Sequence, residues 1–272
     1  MYILNKVVIG SLGIVASIDI ASRAIEKMMG QFDIDIQKPI DTVSIIIPSY
    51  NEERTVALAA VSIREQSAIQ EYPEYFETIL VDSGSTDKTV ELAKPFVDKV
   101  IIAPRGKLTA RNIATVRAKG NIIVSVDSDS YYPYNWLNTL LKPFSDQSIA
   151  GVLGSTLDYS IPNLPGQVHT VAYNIFDRMI MHPKQMPGRN CAYYKHLFYL
   201  LGRFNETVNQ FDLNSMLAEE EIDFGDRLSK LGKIVFKLNA PCIHLGGGKV
   251  ACRFGLESRE SCKRYGIGID RF

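Results

Sequence analysis

Two carboxylates one residue apart close the segment Val124-Ser125-Val126-Asp127-Ser128-Asp129. The apolar run begins at Ile122, so a buried strand would deliver Asp127 and Asp129 at its carboxyl end. Withdrawing two ionised acids from water is costly unless positive charge sits beside them. The usual guest at such a place is a divalent cation carrying a phosphorylated ligand. Any strand-to-turn junction can end in Asp-Ser-Asp. The pattern gains force from two further segments, around Asp82 and Glu221.

Asp82 ends a second apolar run, and Gly84 then turns the chain toward Thr86 and Asp87. A strand–turn–helix connection with a capping residue accounts for Asp87. Asp82 lies on the strand side, where a carboxylate can accept hydrogen bonds from a base or a ribose. No G-x-G-x-x-G follows any strand, so the dinucleotide fingerprint is missing from the sequence. Glu221 shares helical spacing with Leu217, Phe224, Leu228 and Leu231 and is expected on the apolar face. Asp223–Arg227 and Asp226–Lys230 are i,i+4 pairs expected on the solvated side. Glu219 is explained by the helix N-terminus. An inward Glu221 needs a partner or a purpose, and general base work is the purpose its setting suits.

His244, before Gly246-Gly247-Gly248, either completes a metal site with Asp129 or is a surface histidine beside a polar loop. His169, His182 and His196 show no supporting pattern. Arg105, Lys107 and Arg111 lie before and on the helix that precedes Asp127, and Arg111 is the one expected to meet a phosphate.

These side chains need elements to position them. Val43–Ile47 reads as a strand stopped by Pro48, Val56–Ile63 as a helix and Thr78–Val81 as a strand. A helix starts near Thr86-Asp87 and stops at Pro95; Val100–Ile102 is a third strand. Leu108–Lys119 is a helix ended by Gly120, and Ile122–Val126 is the fourth strand. This alternation argues for an α/β fold, a mostly parallel central sheet with helices on both faces and ligands at the carboxyl ends of the strands. Beyond Asp129 the pattern predicts helices over Pro133–Phe144, Gln167–Met181 and Leu217–Leu231, a loop over Pro187–Asn190 and a strand over Lys233–Leu238. Trp136 is read as packing.

The bulk composition narrows the classes. The 272 residues suggest one large domain with extensions, and 46% apolar with 22% charged residues is ordinary for a globular protein. Thirty basic and thirty acidic side chains balance, which argues against nucleic acid as a partner. Cys191, Cys242, Cys252 and Cys262 form no C-x-x-C pair, so reduced thiols are expected, with a disulfide among the last three as the alternative. Val7–Ile18 is apolar and uncharged but shorter than the roughly 20 residues a spanning helix needs. Ile14, Ile18, Ala21, Ile25 and Met28 recur at helical spacing, so residues 1–40 read as an amphipathic extension that lies on a membrane surface, packs on a partner or covers the domain.

Four motifs together resemble a known family. Ile47-Pro48-Ser49-Tyr50-Asn51-Glu52-Glu53, Val81–Asp87, Ala110-Arg111-Asn112 and Asp127-Ser128-Asp129 are similar in order and spacing to GT-A fold glycosyltransferases of inverting family 2. Glu220-Glu221-Ile222-Asp223-Phe224 with Arg227-Leu228 and Gly232 resembles that family's acidic catalytic helix, with Glu221 where the family usually has Asp. Gly188-Arg189-Asn190 resembles its acceptor-side loop. The resemblance implies a catalytic domain over residues 41–245 followed by a tail over 246–272. It implies a UDP- or GDP-sugar donor bound by Pro48, Tyr50, Glu52, Asp82, Arg111, Asp127 and Ser128. Mn²⁺ or Mg²⁺ would be held by Asp129, Asp127 and His244, and Glu221 with Glu220 would serve catalysis. The acceptor is a sugar, a lipid-linked molecule or a protein. The location expected is cytoplasmic, peripheral on the inner face of a membrane. A nucleotidyltransferase of similar fold is the competing enzyme reading, opposed by the acidic Asn51-Glu52-Glu53 where a Gly-rich basic loop would be needed. A non-catalytic sugar-binding module is the other alternative, opposed by the retained Asp129 and Glu221.

Overall fold

The computed structural model describes residues 36–158, 186, 188–207 and 219–245, except the side chains at 158 and 219–221. The expected amphipathic leader, the helix over Gln167–Met181, the tail after 245, His169, His182, Cys252 and Cys262 lie outside the described residues. The elements run β1 (Val43–Ser49), α1 (Val56–Arg64), α2 (Ser67–Glu71), β2 (Phe76–Asp82), α3 (Thr89–Ala93), β3 (Lys99–Ile102), α4 (Lys107–Arg117) and β4 (Ile122–Val126). They continue with β5 (Ser130–Tyr131), α5 (Trp136–Leu141), β6 (Ile149–Asp158), β7 (Asn190–Tyr194), α6 (Lys195–Leu200), α7 (Glu219–Leu228) and β8 (Lys233–His244).

One eight-stranded sheet has the order β3-β2-β1-β4-β7-β6-β8-β5. The first four strands in that order are parallel, so their carboxyl ends share one edge. β7 is antiparallel to β4 and to β6, and β8 is parallel to β6 but antiparallel to β5. Both faces of the central strands are covered, which is why they are apolar at nearly every position. On one face Ile45, Ile47, Leu80, Val124 and Val126 pack against Val56, Ala60 and Ile63 of α1 and Trp136, Leu137 and Leu140 of α5. On the other, Ile46, Ile79, Val81 and Ile123 meet Leu108, Ala110 and Ala114 of α4 and Phe224 and Leu228 of α7. Among the described residues no helix is long and apolar enough to cross a membrane.

Several boundaries differ from expectation. Pro48 does not stop β1: it pairs in register with Val81, and the strand runs on to Ser49. The helix expected from Thr86 begins at Thr89, whose backbone N–H (3.0 Å) and Oγ1 (2.5 Å) both donate to Asp87 Oδ1. The α5 helix is shorter than Pro133–Phe144, and a 3₁₀ turn, Lys142–Ser145, finishes it where Pro143 cannot donate to the helix ladder. β8 runs six residues past Leu238, to His244. The sequence reading missed α2, β5, β6, β7 and α6.

Candidate active site

The first two strand ends are zipped together by their loops. Asn51 adopts a left-handed backbone (φ 53°), its N–H donates to Ser85 Oγ (2.8 Å), and its Oδ1 accepts from Thr86 N–H (2.9 Å). Glu52 N–H donates to Thr89 Oγ1 (2.7 Å) and Glu53 N–H to Asp87 Oδ2 (3.2 Å). Asp82 is the knot beneath them. Its Oδ2 accepts the N–H groups of Gly84 (3.0 Å) and Ser85 (2.8 Å), and its Oδ1 accepts Ser85 Oγ–H (2.5 Å) and Ser49 Oγ–H (3.4 Å). Gly84 supplies the φ of +82° that this turn needs. At 1% exposure with all four donors in place, Asp82 shapes the turn instead of facing a base as expected. Tyr50 projects beside the zip, with the exposed Arg105 guanidinium 4.5 Å above its ring.

At the end of β4 the two acids have opposite surroundings. Asp127 is clasped by Arg111 Nη2 (2.8 Å on Oδ1), Lys107 Nζ and Arg189 Nε (each 3.4 Å on Oδ2). Burial alone would raise its carboxyl, but Lys107, Arg111 and Arg189 override that and hold it well below the usual carboxylate range. Tyr132 fixes the backbone: its Oη accepts Asp127 N–H (2.9 Å), and its own proton lies between the carbonyls of Asp127 (3.2 Å) and Arg189 (3.1 Å). Ser128 is buried at the tip.

Three cations surround Asp127, which stands in this fold as an ion-paired anchor at the end of β4. Arg111, expected at a phosphate, is placed differently. It is 2% exposed, its Nε donates to Ser125 Oγ (3.0 Å), and it braces Asp127 from behind with no face toward a phosphate.

Asp129 is different. His244 Nε2 lies 3.1 Å from its Oδ2, while Oδ1 is buried and has no hydrogen-bond partner among the described residues. His244 is not in a loop: it is the last residue of β8, paired with Ser130 of β5, and that register brings it to Asp129. No group of three or more His, Cys, Asp or Glu converges as a metal cluster among the described residues. A carboxylate with an orphaned buried oxygen beside an imidazole nevertheless fits a divalent cation that takes its other ligands from a phosphate or water. Glu52 stands nearby. Burial, then the charge on Asp129, raises its carboxyl to about 7, partly offset by the hydrogen bond from Thr55 Oγ1 (3.1 Å).

The segment expected to serve the acceptor is split by the β4/β7 pairing. Asn190, opposite Val126, is wholly buried: Oδ1 accepts Trp136 Nε1–H (2.8 Å), and Nδ2 donates to the carbonyls of Ser155 (2.8 Å) and Ala240 (3.0 Å). It ties β6, β7, β8 and α5 and touches no cleft, which corrects the acceptor-side expectation for it. Gly188 leaves room for Arg111: a Cβ there would lie 2.2–2.5 Å from the guanidinium atoms. Ser125 Oγ donates to Gly188 O (2.7 Å), closing the turn onto β4. Arg189 thereby reaches Asp127, on the β4 side of the cleft.

Glu220 and Glu221 fall within α7, but their side chains lie outside the described residues. The helix carrying them is well seated. Phe224 and Leu228 are buried, the Phe224 and Phe204 rings are 4.3 Å apart, and Arg227 Nη1 donates to Leu201 O (2.6 Å). The Asp223–Arg227 pair forms (2.6 Å) but is half-buried, not on a solvated face. Cys191 and Cys242 are buried and are not joined in a disulfide. Sequence reasoning missed Ser125 and Tyr132 as parts of the site and noted Lys107 without giving it a role. A serine inside the apolar β4 was the one available signal.

Comparison with known proteins agrees with this geometry. Residues 44–202 match the model of glycosyl transferase family 2. The glycosyltransferase AglE of Haloferax volcanii is 28% identical over 164 residues, covering 57% of this chain and 51% of that protein. The undecaprenyl-phosphate 4-deoxy-4-formamido-L-arabinose transferase of Pseudomonas savastanoi is 32% identical over 103 residues, 35% of this chain and 30% of that one. The chain thus spans about half the length of the first relative and less of the second. The mannosyltransferase PcManGT from Pyrobaculum calidifontis, solved with GDP-Man and Mn²⁺, superposes with a TM-score of 0.58 at 17% identity, over 95% of this chain and 77% of that one. That likeness concerns the fold, which is GT-A. On the match over 44–202, more than half its length, the chain belongs to glycosyl transferase family 2.

Proposed function

We propose that this protein transfers a sugar from a nucleotide-diphosphate donor, a UDP- or GDP-sugar, to an acceptor hydroxyl with inversion at the anomeric carbon. The observation that carries the reading is the divided acidic tip of β4: Asp127 neutralised by three cations, Asp129 left with a buried unpartnered oxygen beside His244. Asp129 and His244 would hold Mn²⁺ or Mg²⁺, which when bound offsets negative charge on the leaving diphosphate. The acceptor oxygen forms a bond to the anomeric carbon as the bond to the diphosphate oxygen breaks, and the electron pair leaves with the diphosphate. Glu221 takes the acceptor proton, with Glu220 beside it. Tyr50, Glu52 and Ser128 line the donor side with the Pro48 segment, and the zipped loops keep that wall in place. The match with an undecaprenyl-phosphate transferase and the apolar run Val7–Ile18 both support a lipid-linked acceptor and a peripheral membrane location.

The test is product analysis with labelled UDP- and GDP-sugars in the presence of Mn²⁺. Absence of both transfer and hydrolysis across the common donors would overturn the reading. Glu221→Gln is expected to abolish turnover while donor binding survives; retained turnover would remove Glu221 from the base role.

A further inference from the structure

We infer that Tyr132 is a positioning residue: its hydroxyl is a spacer between the acidic tip of β4 and the turn before β7, and so sets where Asp129 stands in the cleft. The inference rests on the metal reading of Asp129 above and names what holds that ligand in place.

The β4/β7 register ends with Val126 opposite Asn190, so Asp127 and Arg189 are the next facing residues. Their backbones meet through the phenol. Asp127 N–H donates to Tyr132 Oη (2.9 Å), and the phenol proton is shared between the carbonyls of Asp127 (3.2 Å) and Arg189 (3.1 Å). One hydroxyl thus stands between the two chains where the ladder ends. The same contacts close the loop from Asp127 to Tyr132 on itself, with Asp129 in its middle. From the other side, Ser130 and Tyr131 pair with His244 and Ile243 of β8, and Leu245 N–H donates to Asp129 O (2.8 Å). Asp129 is therefore held by β8 on one side and by the phenol on the other.

The ring itself is fixed. Tyr132 is wholly buried, and its ring lies 4.5 Å from that of Trp136. Its N–H donates to Ser62 Oγ (3.2 Å), and its carbonyl accepts Gln66 Nε2–H (3.0 Å). Trp136 Nε1–H donates to Asn190, the residue after Arg189 (2.8 Å). So α1 and α5 place the ring, and the ring ties the tip to the turn. Burial, then Cys242, pushes the phenol well above its usual range, which keeps it a neutral donor and acceptor.

Tyr132→Phe removes only the oxygen. The ring keeps its packing, but the Asp127 N–H loses its acceptor and the Arg189 carbonyl loses this donor. The gap is then filled by water or closed by the two chains moving together, and either shifts the tip relative to His244. A functional group must be held within about 0.5 Å of its productive place, so a shift of this kind is felt at Asp129.

The experiment compares the full chain as wild type, Tyr132→Phe and Ser62→Ala. Ser62→Ala is the structural control: it loosens the same segment from the α1 side and leaves the hydroxyl in place. Mn²⁺ alone is titrated by electron paramagnetic resonance, urea unfolding gives the stability of each protein, and backbone amide exchange is followed in EDTA. Tyr132→Phe is expected to bind Mn²⁺ about tenfold or more weakly, the scale for a group that orients a metal ligand. Ser62→Ala should lose comparable stability and keep the wild-type Mn²⁺ affinity. Unchanged affinity in Tyr132→Phe, or an equal loss in both variants, would overturn the spacer role. Amide exchange in Tyr132→Phe should quicken over residues 127–132 and 188–190 and not in β1 or β2. If the wild type binds no Mn²⁺, the metal reading fails and exchange decides the spacer by itself. Exchange in Tyr132→Phe equal to that of the wild type or of Ser62→Ala would then overturn it, and quickening specific to Tyr132→Phe would uphold it.

Discussion

Glu52 offers the sharpest quantitative test of the site's electrostatics. Its carboxyl rises from 4.5 to about 7 in the folded protein, burial being the largest cause and Asp129 the next. An acid whose folded pKa is raised resists ionisation. The protein therefore loses stability as pH climbs from about 4.5 to about 7, and the loss is complete above the folded value. About 2.5 units at 1.36 kcal/mol each amounts to about 3 kcal/mol. Glu52→Gln keeps the shape and an acceptor for Thr55 Oγ1 but cannot ionise. In metal-free buffer the variant should match wild type near pH 4.5 and exceed it by about 3 kcal/mol at pH 8, a melting-temperature gain of roughly 6–12 °C. A bound cation at Asp129 would stabilise the ionised Glu52 carboxylate, so Mn²⁺ should close the gap at pH 8. The assay is thermal and urea unfolding of both proteins from pH 4.5 to 8.5, with EDTA and with Mn²⁺. A gap of the same size at pH 5 and pH 8 would refute the placement of Glu52 beside Asp129, since the difference would then come from packing and not from charge.

Other consequences are equally direct. Asp129→Asn should abolish the Mn²⁺-induced thermal shift and move the Glu52-dependent part of the stability profile to lower pH, because the second cause of its elevated carboxyl is removed; an intact Mn²⁺ shift would place the cation elsewhere. Gly188→Ala forces the Arg111 guanidinium off Asp127 and Ser125, since the new Cβ would lie within 2.5 Å of it. A loss of about 3 kcal/mol in urea unfolding is expected from breaking a buried pair, and a neutral result would contradict the close approach. Asn190→Asp is isosteric but turns a carboxylate oxygen toward the carbonyls of Ser155 and Ala240. It should destabilise by about 3 kcal/mol or more, read by the same method.

The sequence alone determined the parallel half of this protein. Strands such as Ile122–Val126 are covered on both faces, so nearly every residue is apolar and the run ends where the sheet ends. Asp82, Asp127 and Asp129 could therefore be placed at strand ends from composition and spacing. Register could not be read, because pairing joins residues far apart in the chain. The β4/β7 pairing carries Arg189 to Asp127, and the β5/β8 pairing carries His244 to Asp129, across separations of 62 and 115 residues. Roles followed register. Arg111 and Asp127, each plausible alone as a ligand to phosphate or metal, neutralise each other once the fold makes them neighbours. Asp129, with the same side chain two residues on, keeps an open oxygen. A titratable residue's chemistry is set by the field around it, and that field comes from segments that only the tertiary structure brings together.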